Sequence, residues 1–143
     1  MPMDGLVQLV ERGSDQLRRS AGDERRKALG QYYTPAPIAE FMASLVELPM
    51  GPHVRVLDPG AGSGILGICA ARSLLQRGAE SVHVAAVESD PCSLSALRES
   101  LTAAERSLGA AFSYEIRSHD FLNSSGLELE AEGTPPVDAA LPD

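Results

Sequence analysis

Three carboxylates stand where runs of β-branched and aliphatic residues stop. Asp58 follows Val54-Arg55-Val56-Leu57, Glu88 follows Val82-His83-Val84-Ala85-Ala86-Val87, and Asp120 comes shortly after the stretch Phe112 to Arg117. Between the first two acids lie Gly60, Gly62 and Gly64, three glycines in five positions. Glycine lets a backbone bend sharply and approach a ligand closely, and a strand-end carboxylate accepts hydrogen bonds from hydroxyl and amino groups. The set describes a site for a small ligand that carries such groups.

Spacing narrows the choice of ligand. A dinucleotide fingerprint, G-x-G-x-x-G, needs glycine at position 65, which is Ile65 here, and a phosphate loop needs a Gly-Lys-Ser/Thr end that is absent. Asp58 would repel a pyrophosphate but pair well with an ammonium group. S-adenosylmethionine carries an ammonium and no phosphate. Glu88 stands 24 residues after Gly64, where an α/β nucleotide fold places a carboxylate on ribose hydroxyls. Asp120 could accept from an adenine amino group, with Phe121 as an apolar wall; the bland reading is an ordinary turn acid. Thr34-Pro35 reads as a hydroxyl N-cap followed by proline at the first helical position. Thr34 is then either a cap alone or, with the free N–H groups of that helix start, a receiver for a carboxylate such as that of a methionine moiety.

The elements that position these residues read as α/β. Leu6, Val7, Val10 and Leu17 fit a helix over residues 4–20, followed by a basic run from Arg18-Arg19 to Arg25-Arg26-Lys27 that reads as a solvated linker. A second helix runs from Thr34-Pro35 to about Val46, with Ile38, Phe41, Met42, Leu45 and Val46 on one face. Residues 54–57 form the first strand, and a helix over about 63–76 packs on the sheet. Val82 to Val87 is the second strand, Asp90-Pro91 caps a helix reaching Leu108, and Gly109 stops it. The third strand covers 112–117, residues 123–136 form an acidic loop, and Val137 to Leu141 begins a fourth strand. His53 and His83 have no partner acids or cysteines nearby and read as structural; His119 reads as exposed.

Composition sets outer limits. At 143 residues the chain is one domain by length. Cys69 and Cys92 fall on apolar helix faces without metal spacing, as reduced packing residues of a cytoplasmic protein would. No apolar run approaches the roughly 20 residues that span a membrane, and a secretory pattern is missing, so no membrane partner is expected. Net charge is −8 overall, made of +1 over residues 1–30, −1 over 31–87 and −8 over 88–143. The later part would grip nucleic acid poorly by itself.

Taken together, Gly30-Gln31-Tyr32-Tyr33-Thr34-Pro35, Leu57-Asp58-Pro59-Gly60-Ala61-Gly62-Ser63-Gly64, Val87-Glu88-Ser89-Asp90-Pro91 and Asp120-Phe121-Leu122 resemble, in order, the N-terminal part of the gamma-class DNA adenine-N6 methyltransferases. The resemblance covers about residues 27–143. It implies a Rossmann-like S-adenosylmethionine-dependent methyltransferase fold, incomplete, with about four parallel strands and flanking helices. Residues 1–29 would be an N-terminal helix and basic linker, and residues 30–143 a partial S-adenosylmethionine-binding domain. The resemblance further implies that Thr34 contacts the methionine carboxylate and that Asp58 faces the methionine end. Pro59, Gly60, Ala61, Gly62 and Gly64 would line the cofactor. Glu88 would bind the ribose hydroxyls, Ser89 would pack on the adenine, and Asp120 and Phe121 would meet its ring.

The sequence departs from that family at the catalytic motif Asn/Asp-Pro-Pro-Tyr/Phe, which it lacks; Asp143 could be its first residue. No metal site is expected. The intact protein would act on double-stranded DNA through regions outside this sequence, with a restriction subunit or domain as a candidate partner, and these residues by themselves would be inactive. The alternatives, in order, are another Asn-Pro-Pro-Tyr methyltransferase acting on protein or RNA, a non-catalytic cofactor- or partner-binding module, and a dinucleotide-binding oxidoreductase.

Overall fold

Alternation of apolar and polar residues sets the sheet. β1 (His53–Pro59), β2 (Ser81–Val87) and β3 (Phe112–Arg117) are parallel neighbours in the order β1-β2-β3. The register aligns Val54 with Val82 and Phe112, Val56 with Val84 and Tyr114, and Asp58 with Ala86 and Ile116. Side chains alternate faces along a strand, so these nine residues share one face. The other face is mostly polar, with Leu57, Pro59, Ala85 and Val87 as its apolar residues. There His53 Nδ1 lies 2.8 Å from Ser81 Oγ, His83 Nδ1 lies 2.8 Å from Ser113 Oγ, and Arg117 donates to Glu115 Oε1 at 2.9 Å. The structure is a computed structural model that describes residues 3–20, 33–47 and 51–122. The expected linker at 21–29, the acidic loop, the fourth strand and Asp143 lie outside the described residues.

The helices are α1 (Met3–Ser20), α2 (Ala36–Ser44), α3 (Ile65–Gln76) and α4 (Pro91–Leu108), with a 3-10 turn at Gly109–Ala111 leading into β3. α3 packs on β1 and β2, α4 packs on β3, and α1 lies against α4 and α3. Leu6 and Val10 of α1 join Ile68, Leu74, Val84, Leu97 and Leu101 in a core where each is at most 1% exposed. Full burial of such a side chain contributes about 1.5–3 kcal/mol. Asp90 caps α4 by accepting from Cys92 N at 3.2 Å, and Gly109, at φ 71°, ends it. Among the described residues no helix is long and apolar enough to cross a membrane.

Three sequence expectations need correction. α2 begins at Ala36, with Pro35 as its N-cap residue at ψ 147°, so Thr34 lies one position outside the helix and does not cap it. Proline at 35 disfavours helical backbone at Thr34, the residue before it. Instead, Glu11 of α1 accepts from Ala36 N at 3.4 Å. The second correction concerns the face of α2. Its buried residues are Ala36, Ala39 and Ala43, while Ile38, Phe41, Met42 and Leu45 point to solvent at 47–65% exposure. The small residues let α2 approach α3 closely, and an exposed Arg72–Glu40 ion pair at 3.2 Å spans the two helices. The third is Cys92, which is exposed on the first turn of α4, whereas Cys69 is buried and its thiol is pushed up to about 11, chiefly by burial.

Candidate functional site

Gly60, Gly62 and Gly64 have φ of 77°, 56° and 83°, left-handed backbone that costs other residues about 1–2 kcal/mol each. The turn they make is tied to the next strand, because Gly60 N and Ala61 N both donate to Val87 O at 2.8 and 2.9 Å. It is also tied to α1. Ser14 donates to Val10 O, leaving its oxygen to accept from Ser63, 2.7 Å away and 2% exposed. No spacing rule in the sequence singles out this serine pair.

Around the turn opens a cleft of about 720 Å³, within the range of small-molecule sites. Its floor is Pro59, Gly60, Ala61 and Gly62; Glu88, Ser89, Asp90 and Ser93 form one wall. Tyr33 and Thr34 enter from the segment before α2, and His119, Asp120 and Phe121 come from the loop after β3. Nine of the eleven candidate residues therefore meet at one place: Thr34, Pro59, Gly60, Ala61, Gly62, Glu88, Ser89, Asp120 and Phe121.

Asp58 and Gly64 are placed differently. The Asp58 side chain lies beneath the turn, 7% exposed, where Oδ2 accepts from Gly67 N at 3.0 Å. Gly64, the N-cap of α3, has no side chain to cap with, and Asp58 supplies the acceptor for the third helical N–H. Burial raises the Asp58 pKa above its ordinary 3.8, the Gly67 hydrogen bond opposes this, and the nearby charge of Glu88 adds to it. A β-carbon on Gly64 would stand 2.9 Å from Leu97 Cδ1, so this glycine serves close packing against α4. At position 65, where a dinucleotide fold needs glycine, Ile65 is a core residue at 4% exposure.

Glu88 is as buried as Asp58, at 7%, but faces the cleft. Its Oε2 accepts from Gly62 N and its Oε1 from Asp90 N, both at 2.7 Å. Each carboxylate oxygen keeps a second lone pair for a ligand hydroxyl. Asp120 Oδ1 accepts from Leu122 N at 3.0 Å, shaping the loop that carries Phe121.

The lining holds Glu88, Asp90 and Asp120 and, among the described residues, no lysine or arginine. Such a cleft suits a ligand with cationic and hydroxyl groups and disfavours phosphate. His119 differs from its sequence expectation: it lines the cleft with Nε2 buried and without a hydrogen-bond partner among the described residues. The described residues contain no group of acids, histidines and cysteines able to hold a metal ion.

The family model of N-6 DNA Methylase matches residues 15–97 of the chain. No curated protein sequence matches it. Five chains of solved structures match, among them the crystal structure of P. horikoshii TYW2 in complex with MeSAdo, at TM-score 0.41 and 21% identity. That match covers 61% of this chain and 29% of TYW2, so the chain spans less than a third of the length of that protein.

Proposed function

This chain belongs to the N-6 DNA methylase family, and from that premise we propose that its cleft holds S-adenosylmethionine and that the chain is the methyl-donor part of a DNA adenine-N6 methyltransferase. The observation that carries the reading is the lining of the cleft. A floor of left-handed glycines, a buried carboxylate at the end of β2, an Asp-Phe pair after β3 and no lysine or arginine among the described residues suit a cationic nucleoside and not a dinucleotide.

When bound, S-adenosylmethionine supplies a methyl group activated by its sulfonium. Glu88, held by the Gly62 and Asp90 amides, accepts from the two ribose hydroxyls. Asp120 accepts from the adenine amino group, Phe121 and Ser89 pack on the ring, and Thr34 meets the methionine carboxylate. Asp58 acts through the turn, by fixing the start of α3 beneath the glycines. These residues bind and orient; positioning of the methyl carbon for an in-line attack is what they contribute to rate. Duplex DNA is the proposed substrate, with its target adenine extruded from the stack. The grip on DNA, any restriction partner and the Asn-Pro-Pro-aromatic motif would come from outside these 143 residues. The chain alone is therefore expected to bind the donor weakly and to leave DNA unmethylated.

Calorimetric titration of the chain with S-adenosylmethionine, its demethylated product and NAD tests the reading. Heat from the first two and none from NAD is expected. Binding of NAD alone, or of none of the three, would overturn it; methylation of DNA by the isolated chain would overturn the expectation that these residues are inactive alone.

A further inference from the structure

Tyr33 has no role in the binding scheme above, yet it closes a ring of contacts around the cleft. Ser93, 1% exposed, donates its single hydroxyl proton to Asp90 Oδ2 at 3.2 Å. Its oxygen is left to accept, and Tyr33 Oη lies 3.2 Å away, so the tyrosine is the donor of that pair. From Asp90 the ring continues through Asp90 N to Glu88 Oε1 and from Glu88 Oε2 to Gly62 N, each at 2.7 Å. It closes where the Tyr33 ring covers Gly62, with Cε1 only 3.3 Å from the place a β-carbon would occupy. Three segments distant in sequence meet here: the lead-in to α2, the glycine turn and the start of α4.

We propose that Tyr33 is a positioning residue, a strap whose hydroxyl ties the segment carrying Thr34 to the Ser93–Asp90 wall and so holds Thr34 over the methionine end of the cleft. The second clause rests on the cofactor reading given above; the strap itself does not. Thr34 is followed by Pro35 and does not cap α2, so its own side chain does not fix it to the helix. Tyr33, one residue earlier, supplies an anchor on the far wall. The contact with Gly62 sets how low the strap lies, because any side chain there would push the ring outward.

Two measurements on the full chain test the strap. In the ligand-free protein, amide exchange followed by NMR is compared for wild type, Tyr33→Phe, Ser93→Ala and the double variant. Loss of one neutral hydrogen bond should speed exchange at Ala36, Ile38 and Ala39 by about 3- to 10-fold in each single variant. The double variant should go no further, and amides of β1 and β2 should keep their rates. Unchanged exchange in either single variant, or additive effects in the double, would overturn the strap.

The second measurement titrates S-adenosylmethionine and 5′-methylthioadenosine, which lacks the amino-acid end. Tyr33→Phe should weaken the first by about 3- to 10-fold and the second by less than about 2-fold. Equal weakening of both would overturn the placement of Thr34 by Tyr33. A wild-type chain that binds neither ligand overturns the cofactor reading, while the exchange result still decides whether the strap exists.

Discussion

The two sides of the glycine turn are built from the same kinds of residue and perform different tasks. Beneath it, Asp58 accepts from the amide of Gly67 and Gly64 packs on Leu97. Above it, Glu88 accepts from the amide of Gly62, and Gly60 has open space where a side chain would point. Each side has one carboxylate that is 7% exposed and left-handed glycine backbone, at Gly64 below and at Gly60 and Gly62 above. What differs is the neighbour across from each: helix and core below, cleft above. A buried strand-end acid is thus not by itself a ligand contact. It can become one only where accepting capacity that the protein leaves unused faces a cavity, as at Glu88.

Variants on the two sides should separate ligand affinity from stability. The largest effect is expected for Glu88→Ala, which removes the carboxylate proposed to accept from two hydroxyls and should weaken S-adenosylmethionine by about 100-fold or more in calorimetric titration. Asp58→Asn, which keeps an acceptor for Gly67, should leave that affinity near wild type. Equal losses from both would erase the distinction between the two sides.

Next comes Gly64→Ala, where left-handed backbone and the contact with Leu97 add up to about 2–4 kcal/mol of lost stability in urea unfolding. At Gly60, with nothing within 4 Å, the same change should cost only the backbone part, about 1–2 kcal/mol. A Gly60→Ala variant less stable than Gly64→Ala would reverse the assignment of packing to the lower side.

The smallest effect concerns pH. Because the folded Asp58 pKa is raised, the native state holds more protons than the unfolded chain between the ordinary 3.8 and the raised value. The stability that this group contributes is fully present below that window and is lost as pH rises through it. Asp58→Asn should flatten this part of the stability profile and raise the melting temperature at neutral pH. A variant with an unchanged profile would mean that the carboxylate is not taken out of water as its burial indicates.

Much of the fold was legible because its signals are local. The alternating residues of β1 and β2, the Asp90-Pro91 cap and the stop at Gly109 fall where sequence reasoning put them. The clearest failures involve packing partners. Ile38, Phe41, Met42 and Leu45 look like a core face, but the side of α2 that touches α3 is the alanine side, because only small residues allow that approach. The helical pattern alone puts Cys92 on an apolar face, but its turn of α4 lies at the edge of the cleft wall, where it is exposed. For Asp58 a signal was present: it shares strand parity with Val54 and Val56, which predicts a side chain directed at the helices.

By itself the sequence determined the order of elements, the left-handed glycine turn and the presence of carboxylates at strand ends, since each depends on the intrinsic preferences of neighbouring residues. Tertiary structure alone decided which carboxylate meets the cleft, that α2 turns its large apolar residues outward, and that Tyr33 reaches Ser93 across 60 positions. Those outcomes depend on where separate segments come to rest against one another, and the free energy of such contacts is a property of the pair and of its surroundings, not of either residue.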